Sequence, residues 1–180
     1  MKIMRKDKLT REQKVKPILN ERQIMEKLNH PFIIKLYWSF QSKTELFFVM
    51  DLCTGGEMFF HLGKVQKFSE DEAKFYFAEL ILGLEYLHAL DIVYRDIKPE
   101  NILVDIDGHV KIADFGLSKI IPKNKRSFSF CGSPEYMCPE ILKMRSSSMI
   151  HGQGHDRRAD IYCIGALLYE LVVGFPPHFN

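Results

Sequence analysis

Between residues 94 and 116 the chain reads Tyr94-Arg95-Asp96-Ile97-Lys98-Pro99-Glu100-Asn101, then two short β-prone runs at 102–105 and 109–113, then Asp114-Phe115-Gly116. Asp107-Gly108 between the runs is a strong hairpin signal, because a tight turn needs positive φ and Gly supplies it without steric cost. A tight hairpin returns the chain close to its starting point. Asp96 and Asn101 on one loop, and Asp114 beyond the hairpin, can therefore converge. Asn101 and Asp114 offer the hard oxygen donors that suit Mg²⁺. Asp96 remains to accept a hydroxyl proton. Phosphoryl transfer has these needs, since its transition state spreads charge over phosphate oxygens and requires metal ions and an aligned nucleophile.

Composition excludes several other classes. With 180 residues and 46% hydrophobic content the chain suffices for one domain with its own core. Lys plus Arg number 25 against 23 Asp plus Glu, a formal net charge of +2. The basic residues are scattered, which argues against a nucleic-acid partner or a membrane-binding surface. The basic start, MKIMRKDKLTREQKVK, is not followed by the apolar stretch of a signal peptide. Residues 161–173 are interrupted by Glu170 and fall short of the roughly 20 apolar residues that span a bilayer, so they predict a buried helix and no membrane insertion. Cys53, Cys131, Cys138 and Cys163 show no CxxC pair and no zinc spacing. They read as reduced, packed thiols of a cytoplasmic or nuclear protein.

Periodicity supplies the architecture. Residues 1–4 predict a short strand, and a polar stretch at 5–16 leads into a helix over 17–28, with Pro17 at its first position and Pro31 just past its end. Strand-like runs at 34–40 and 46–52 flank a polar turn and predict an antiparallel hairpin. After Gly55-Gly56 the pattern turns helical. Ser69 with Glu72 is a capping box, and Phe68 is placed to staple the start of that helix. Phe77, Leu80, Leu84 and Leu87 recur at helical steps while Ile81, Leu82 and Tyr86 fill other faces, which predicts a helix buried nearly all round. Ser146-Ser147-Ser148, near Gly152 and Gly154, predicts an exposed loop.

With these residues in place the chain resembles the protein kinase family over essentially its whole length, through the catalytic-loop motif, Asp-Phe-Gly and a later Cys138-Pro139-Glu140 in the place of Ala-Pro-Glu. Tyr94 in the usual His position, and Ser129-Phe130-Cys131-Gly132-Ser133-Pro134-Glu135-Tyr136, resemble the AGC group of Ser/Thr kinases. The resemblance implies an α+β, two-lobed kinase fold that is partial: an incomplete antiparallel upper sheet with its helix at 1–50, and a helical lower lobe at 51–180. It implies ATP and Mg²⁺ as cofactors, protein substrates with Ser or Thr acceptors, and an upstream activating kinase. Asp96 is then the catalytic base and Lys98 the Ser/Thr-type residue beside it. Lys2 would hold the α- and β-phosphates, with Glu21 of Leu19-Asn20-Glu21 as its ion-pair partner. Met50 falls at the gatekeeper position, Asp51 to Cys53 at the adenine-binding hinge, Leu103 under the adenine, and Ala113 just before the metal-binding Asp114, with Asn101 the second metal ligand. Glu57, Glu100 and Glu170 match acidic positions that receive substrate arginines, Glu57 also reaching the ribose and Glu100 lying at the nucleotide side of the loop. Met25, Leu36, Tyr94 and Phe115 match the hydrophobic spine. Ser129 matches the activating phosphorylation site, with Arg95 and Lys119 to bind its phosphate and with Ser127 and Ser133 as rivals.

The chain also departs from the pattern. Asp160-Ile161-Tyr162 stands for Asp-x-Trp, and an insertion around 145–158 lengthens the preceding loop. The sequence holds no G-x-G-x-x-G before Lys2 and stops at Asn180. The resemblance therefore implies a domain cut at both ends, whose 180 residues by themselves are expected to be catalytically silent. The alternative is a pseudokinase-like nucleotide- or protein-binding module without turnover, against which Lys2, Glu21, Asp96, Asn101 and Asp114 are all present.

Overall fold

The computed structural model describes residues 1–11, 14–146 and 154–177. Of the exposed loop expected at Ser146, Ser147, Ser148, Gly152 and Gly154, Ser146 instead ends a helix and Gly154 is buried against Ser127, while Ser147, Ser148 and Gly152 lie outside the described residues.

The first part is a three-stranded antiparallel sheet, β1 (Lys2–Arg5), β2 (Leu36–Gln41) and β3 (Glu45–Met50), in the order β1-β3-β2. Lys2 pairs with Phe48, and Ser39 with Phe48 from the other side, so β3 is the central strand. Between β1 and β2 lie α1 (Lys6–Arg11) and α2 (Val15–Met25). The polar stretch predicted as a lead-in thus contains a helix. It forms because Leu9 is buried while Asp7 in the first turn and Arg11 in the last complement the helix dipole. α2 begins two residues before Pro17, which occupies its third position rather than its first. An N–H there has no intrahelical partner, so proline costs no hydrogen bond.

The second part holds β4 (Gly56–Glu57), α3 (Met58–Val65), α4 (Glu70–Ala89), β5 (Ile92–Val93), β6 (Ile102–Val104), β7 (Val110–Ile112), β8 (Lys119–Ile120), α5 (Pro139–Ser146) and α6 (Arg158–Val173). The capping box of α4 is made: Ser69 Oγ accepts from Glu72 N at 3.3 Å, and Ser69 N donates to Glu72 Oε2 at 2.8 Å. Ser69→Ala is expected to lower stability by about 1 kcal/mol, read as a smaller urea midpoint at unchanged slope. Phe68 is buried and meets Tyr76 edge-on. The helix is not buried all round. Leu80, Gly83, Leu84 and Leu87 face the core, but Phe75 and Leu82 are 46% and 48% exposed. Packing partners, chiefly α6 and β7, cover only one side of it. Gly83 permits the approach of β7, since a Cβ there would stand 3.0 Å from Ile112 Cδ1.

The β6–β7 hairpin turns as expected, with Gly108 at φ +87°. Asp105 caps the turn by accepting N–H bonds from Asp107 at 2.9 Å and His109 at 3.0 Å. Glu79 of α4 ties the hairpin down by accepting from Val110 N at 2.9 Å and bonding the His109 ring. The core joins both parts. Met25, Tyr94 and Phe115 are buried in it, Leu36 packs against it, and the Tyr94 and Phe115 rings meet edge-on at 5.4 Å. Among the described residues no helix is long and apolar enough to cross a membrane.

Candidate active site

The catalytic-loop segment is set by one buried carboxylate. Asp160, in the first turn of α6, accepts from Tyr94 N at 2.9 Å, Arg95 N at 2.8 Å and the His88 ring at 2.8 Å. This holds Arg95 at φ +72°, a left-handed conformation that non-glycine residues avoid. The Tyr94 hydroxyl donates to the Ala113 carbonyl, which fixes the residue before Asp114. Asp114 is itself left-handed, at φ +55°, with Oδ1 accepting from Gly116 N at 3.2 Å.

Around Asp96 the polar groups form a closed network. Asn101 Nδ2 donates to Asp96 Oδ2 and to its carbonyl, both at 2.8 Å. Ser133 Oγ donates to Asp96 Oδ1 at 3.1 Å, and Lys98 Nζ lies 3.0 Å from Ser133 Oγ and 3.3 Å from Asp96 Oδ2. Asp96 is thus oriented through both carboxylate oxygens. With its Nδ2 committed, Asn101 keeps Oδ1 as the donor atom toward a cation.

Lys2 Nζ on β1 donates to Glu21 Oε1 on α2 at 2.8 Å. Burial raises the Glu21 carboxyl above the usual range, with Asp114 acting in the same direction and Lys2 opposing. Its Oε2 is buried with no hydrogen-bond partner among the described residues. Lys2, Glu21, Asp96 and Asp114 line one open cavity of about 640 Å³, together with Gly116, Leu117 and parts of α1 and α2.

The predicted adenine-side residues lie elsewhere on the same core. Met50, Cys53, Leu103 and Ala113 all pack against it half-buried, but they do not line this cavity. The Asp51 side chain is occupied: it accepts from the Tyr37 hydroxyl at 2.7 Å and Lys35 N at 3.1 Å, with Lys111 Nζ at 3.3 Å. Burial alone would raise its carboxyl, and these three groups outweigh that and lower it. Its backbone N–H is also engaged, donating to Lys35 O at 3.1 Å, so only its carbonyl is left for a ligand. Glu57 and Glu100 are exposed, whereas Glu170 is buried and accepts from the Tyr136 hydroxyl. Burial raises the Glu170 carboxyl; the Tyr136 hydrogen bond opposes this, and Glu100 and Glu135 add to it. Glu100 and Glu170 are therefore close enough to feel each other. Ser129 Oγ accepts from Arg95 Nη1 at 2.8 Å. Sequence reasoning missed the linking roles of Asp160, His88 and Glu79; an acidic residue inside an apolar helix is the one signal that pointed to the first and last.

Residues 1–180 match the family described as Protein kinase domain. The chain is 45% identical over 180 residues to Protein kinase 2 of Dictyostelium discoideum, an alignment covering 100% of this chain and 36% of that protein. It is 44% identical over 182 residues to serine/threonine-protein kinase Sgk1 of Homo sapiens, covering 100% of this chain and 40% of that protein. It is 41% identical over 182 residues to the RAC family serine/threonine-protein kinase homolog of Dictyostelium discoideum, 100% of this chain and 39% of that protein. The chain belongs to the protein kinase domain family. Its relatives are Ser/Thr kinases of the AGC group, as the motifs implied, and it spans between 36% and 40% of their length.

Proposed function

We propose that these residues are the phosphotransfer core of a protein serine/threonine kinase, which moves the γ-phosphate of ATP to Ser or Thr hydroxyls of protein substrates. The observation that carries this reading is the meeting of Lys2, Glu21, Asp96 and Asp114 in one cavity, with Asn101 bonded to Asp96. In this reading residues 1–50 belong to the smaller lobe and 51–180 to the larger, joined through residues 51–53.

Asp96 positions the acceptor hydroxyl and takes its proton on Oδ1, the atom that Ser133 now engages. Lys98, held by Ser133 and by Asp96 Oδ2, brings a positive charge to the other oxygen of the same carboxylate. Lys2, aimed by Glu21, lines the same cavity and holds the phosphates. Asn101 and Asp114 fit Mg²⁺ by donor chemistry, since Asn101 commits Nδ2 to Asp96 and keeps Oδ1 free to coordinate, and Asp114 is exposed. When bound there, the metal would neutralise charge on the phosphate oxygens. Met50, the backbone of Asp51 to Cys53, Leu103 and Ala113 supply the adenine side, and Glu57 the ribose.

Glu57, Glu100 and Glu170 give the acceptor peptide its preference. Planar, bidentate Arg-carboxylate pairing selects Arg over Lys. Presented with a Ser peptide library and Mg-ATP, the full protein is expected to favour Arg two or three residues before the acceptor. Absence of transfer to any Ser or Thr peptide would remove the kinase reading, and transfer without Arg enrichment would remove the glutamate assignment alone.

A further inference from the structure

Past Asp114-Phe115-Gly116 the chain folds back over the catalytic loop, and two cations meet two hydroxyls there. Arg95 Nη1 donates to Ser129 Oγ at 2.8 Å and Ser127 Oγ at 3.3 Å, Lys119 Nζ reaches Ser127 Oγ at 3.4 Å, and the two hydroxyls lie 2.8 Å apart. Against Ser127 stands His155, from the segment leading into α6. Ser127 N donates to His155 O, and His155 N to Ser127 O, each at 2.8 Å. Gly154 makes this approach possible, since at φ +63° a Cβ would stand 2.9 Å from Ser127 O.

His155 is 1% exposed, and among the described residues neither Nδ1 nor Nε2 of its ring has a hydrogen-bond partner. Buried polar atoms in native folds are satisfied almost without exception, so a ring with two open nitrogens marks a place where a partner arrives. The charged groups facing it are Arg95 of the catalytic loop, Lys119 of β8, Asp160 of α6 and Glu140 of α5. Burial first, then the Arg95 and Lys119 cations, lower its pKa to about 4 against the opposing pull of Asp160 and Glu140. The ring is neutral at neutral pH.

We propose that His155 is the third phosphate-binding group of a pocket formed with Arg95 and Lys119, and that it takes up a proton when a phosphate is placed on Ser129. The proposal rests on the reading of Ser129 as the phosphorylation site. There an upstream kinase transfers a phosphoryl group from a nucleoside triphosphate to Ser129 Oγ, which gives up its proton. The phosphate adds a charge of about −1.5 to −2. It neutralises the two cations that add to burial in keeping His155 deprotonated, and presents acceptor oxygens to its ring. The consequence is a tie between the phosphorylated segment and the start of α6, made through a residue that carries no charge until the phosphate is in place.

The test uses the full protein labelled with ¹⁵N at histidine, with phosphoserine genetically encoded at 129 in one sample and serine in the other. His155 is assigned by His155→Gln, and the ring signals are titrated. The expected result is a rise in the His155 pKa of more than about one unit in the phosphorylated sample. A His155 that stays neutral in both samples overturns the proposal. A second readout is removal of the phosphate by a general phosphatase, which His155→Gln is expected to accelerate several-fold, with Arg95→Gln as the reference. Acceleration by Arg95→Gln alone would overturn the part given to His155 and leave the Ser129 reading intact. No acceleration by either, with full activity retained by Ser129→Ala, would overturn both.

Discussion

Asp96→Asn is expected to lower turnover of an Arg-containing Ser peptide by about 10²–10⁴-fold, the range for loss of a general base. The substitution is close to isosteric, and the surrounding network can re-form around it. An amide oxygen can still accept from Asn101 Nδ2, which sits 2.8 Å from the carboxylate, while the new NH₂ can donate to Ser133 Oγ, whose hydroxyl rotates freely. What is lost is the ability to hold a proton, and with it the ion pair to Lys98 at 3.3 Å. The effect should therefore fall on kcat, with the KM for ATP little changed and the thermal midpoint moving by a few degrees at most. Turnover within about tenfold of the parent would mean that another group receives the hydroxyl proton.

Asp160→Ala is expected to act on stability first and on activity as a result. The Asp160 carboxylate has no exposure and accepts three bonds, from Tyr94 N, Arg95 N and the His88 ring. Truncation strands two buried backbone N–H groups and a ring nitrogen. Each unmade bond of this kind costs about 1–3 kcal/mol, so a loss of about 3–5 kcal/mol is expected, a large part of the 5–15 kcal/mol of a typical domain. Arg95 adds to the effect, because its left-handed backbone at φ +72° is kept in place by this carboxylate. Urea unfolding measures the loss directly. A change below about 1 kcal/mol would show that water can take over the three bonds.

These two predictions stand on different kinds of information. Asp96, Asn101 and Asp114 are read from one short stretch, because a five-residue spacing and a Gly-containing hairpin are local signals and force convergence before any tertiary contact is known. The Ser69 capping box and the β2–β3 hairpin are local in the same way. α1 was not legible, since Lys6–Arg11 offers a single apolar residue and its helicity depends on Leu9 finding cover. The exposure of Leu82 was not legible, because periodicity counts apolar faces but not the neighbours available to cover them. Asp160, Glu79 and Glu170 act across long stretches of chain, on Arg95, Val110 and Tyr136. Composition gives no hint of which partner a buried carboxylate will find. Asp51 shows the same limit within the predicted site, for its side chain serves Tyr37 and Lys35, its N–H serves Lys35 O, and the hinge role is left to its carbonyl.

The bonds from Tyr94 and Arg95 to Asp160 span 66 and 65 residues of chain. A ribosome adding about 5–20 residues per second needs roughly 3–13 s to cover the shorter distance, and the loop cannot take its working shape until α6 has emerged. During that interval Arg95 has no reason to occupy a left-handed conformation, and Asp96 is not yet aimed. The nascent chain thus passes through a stage in which β1 to β8 can already pair while Asp96 is unset. On the proposed reading, the order of synthesis keeps the phosphotransfer site unformed in unfinished chains.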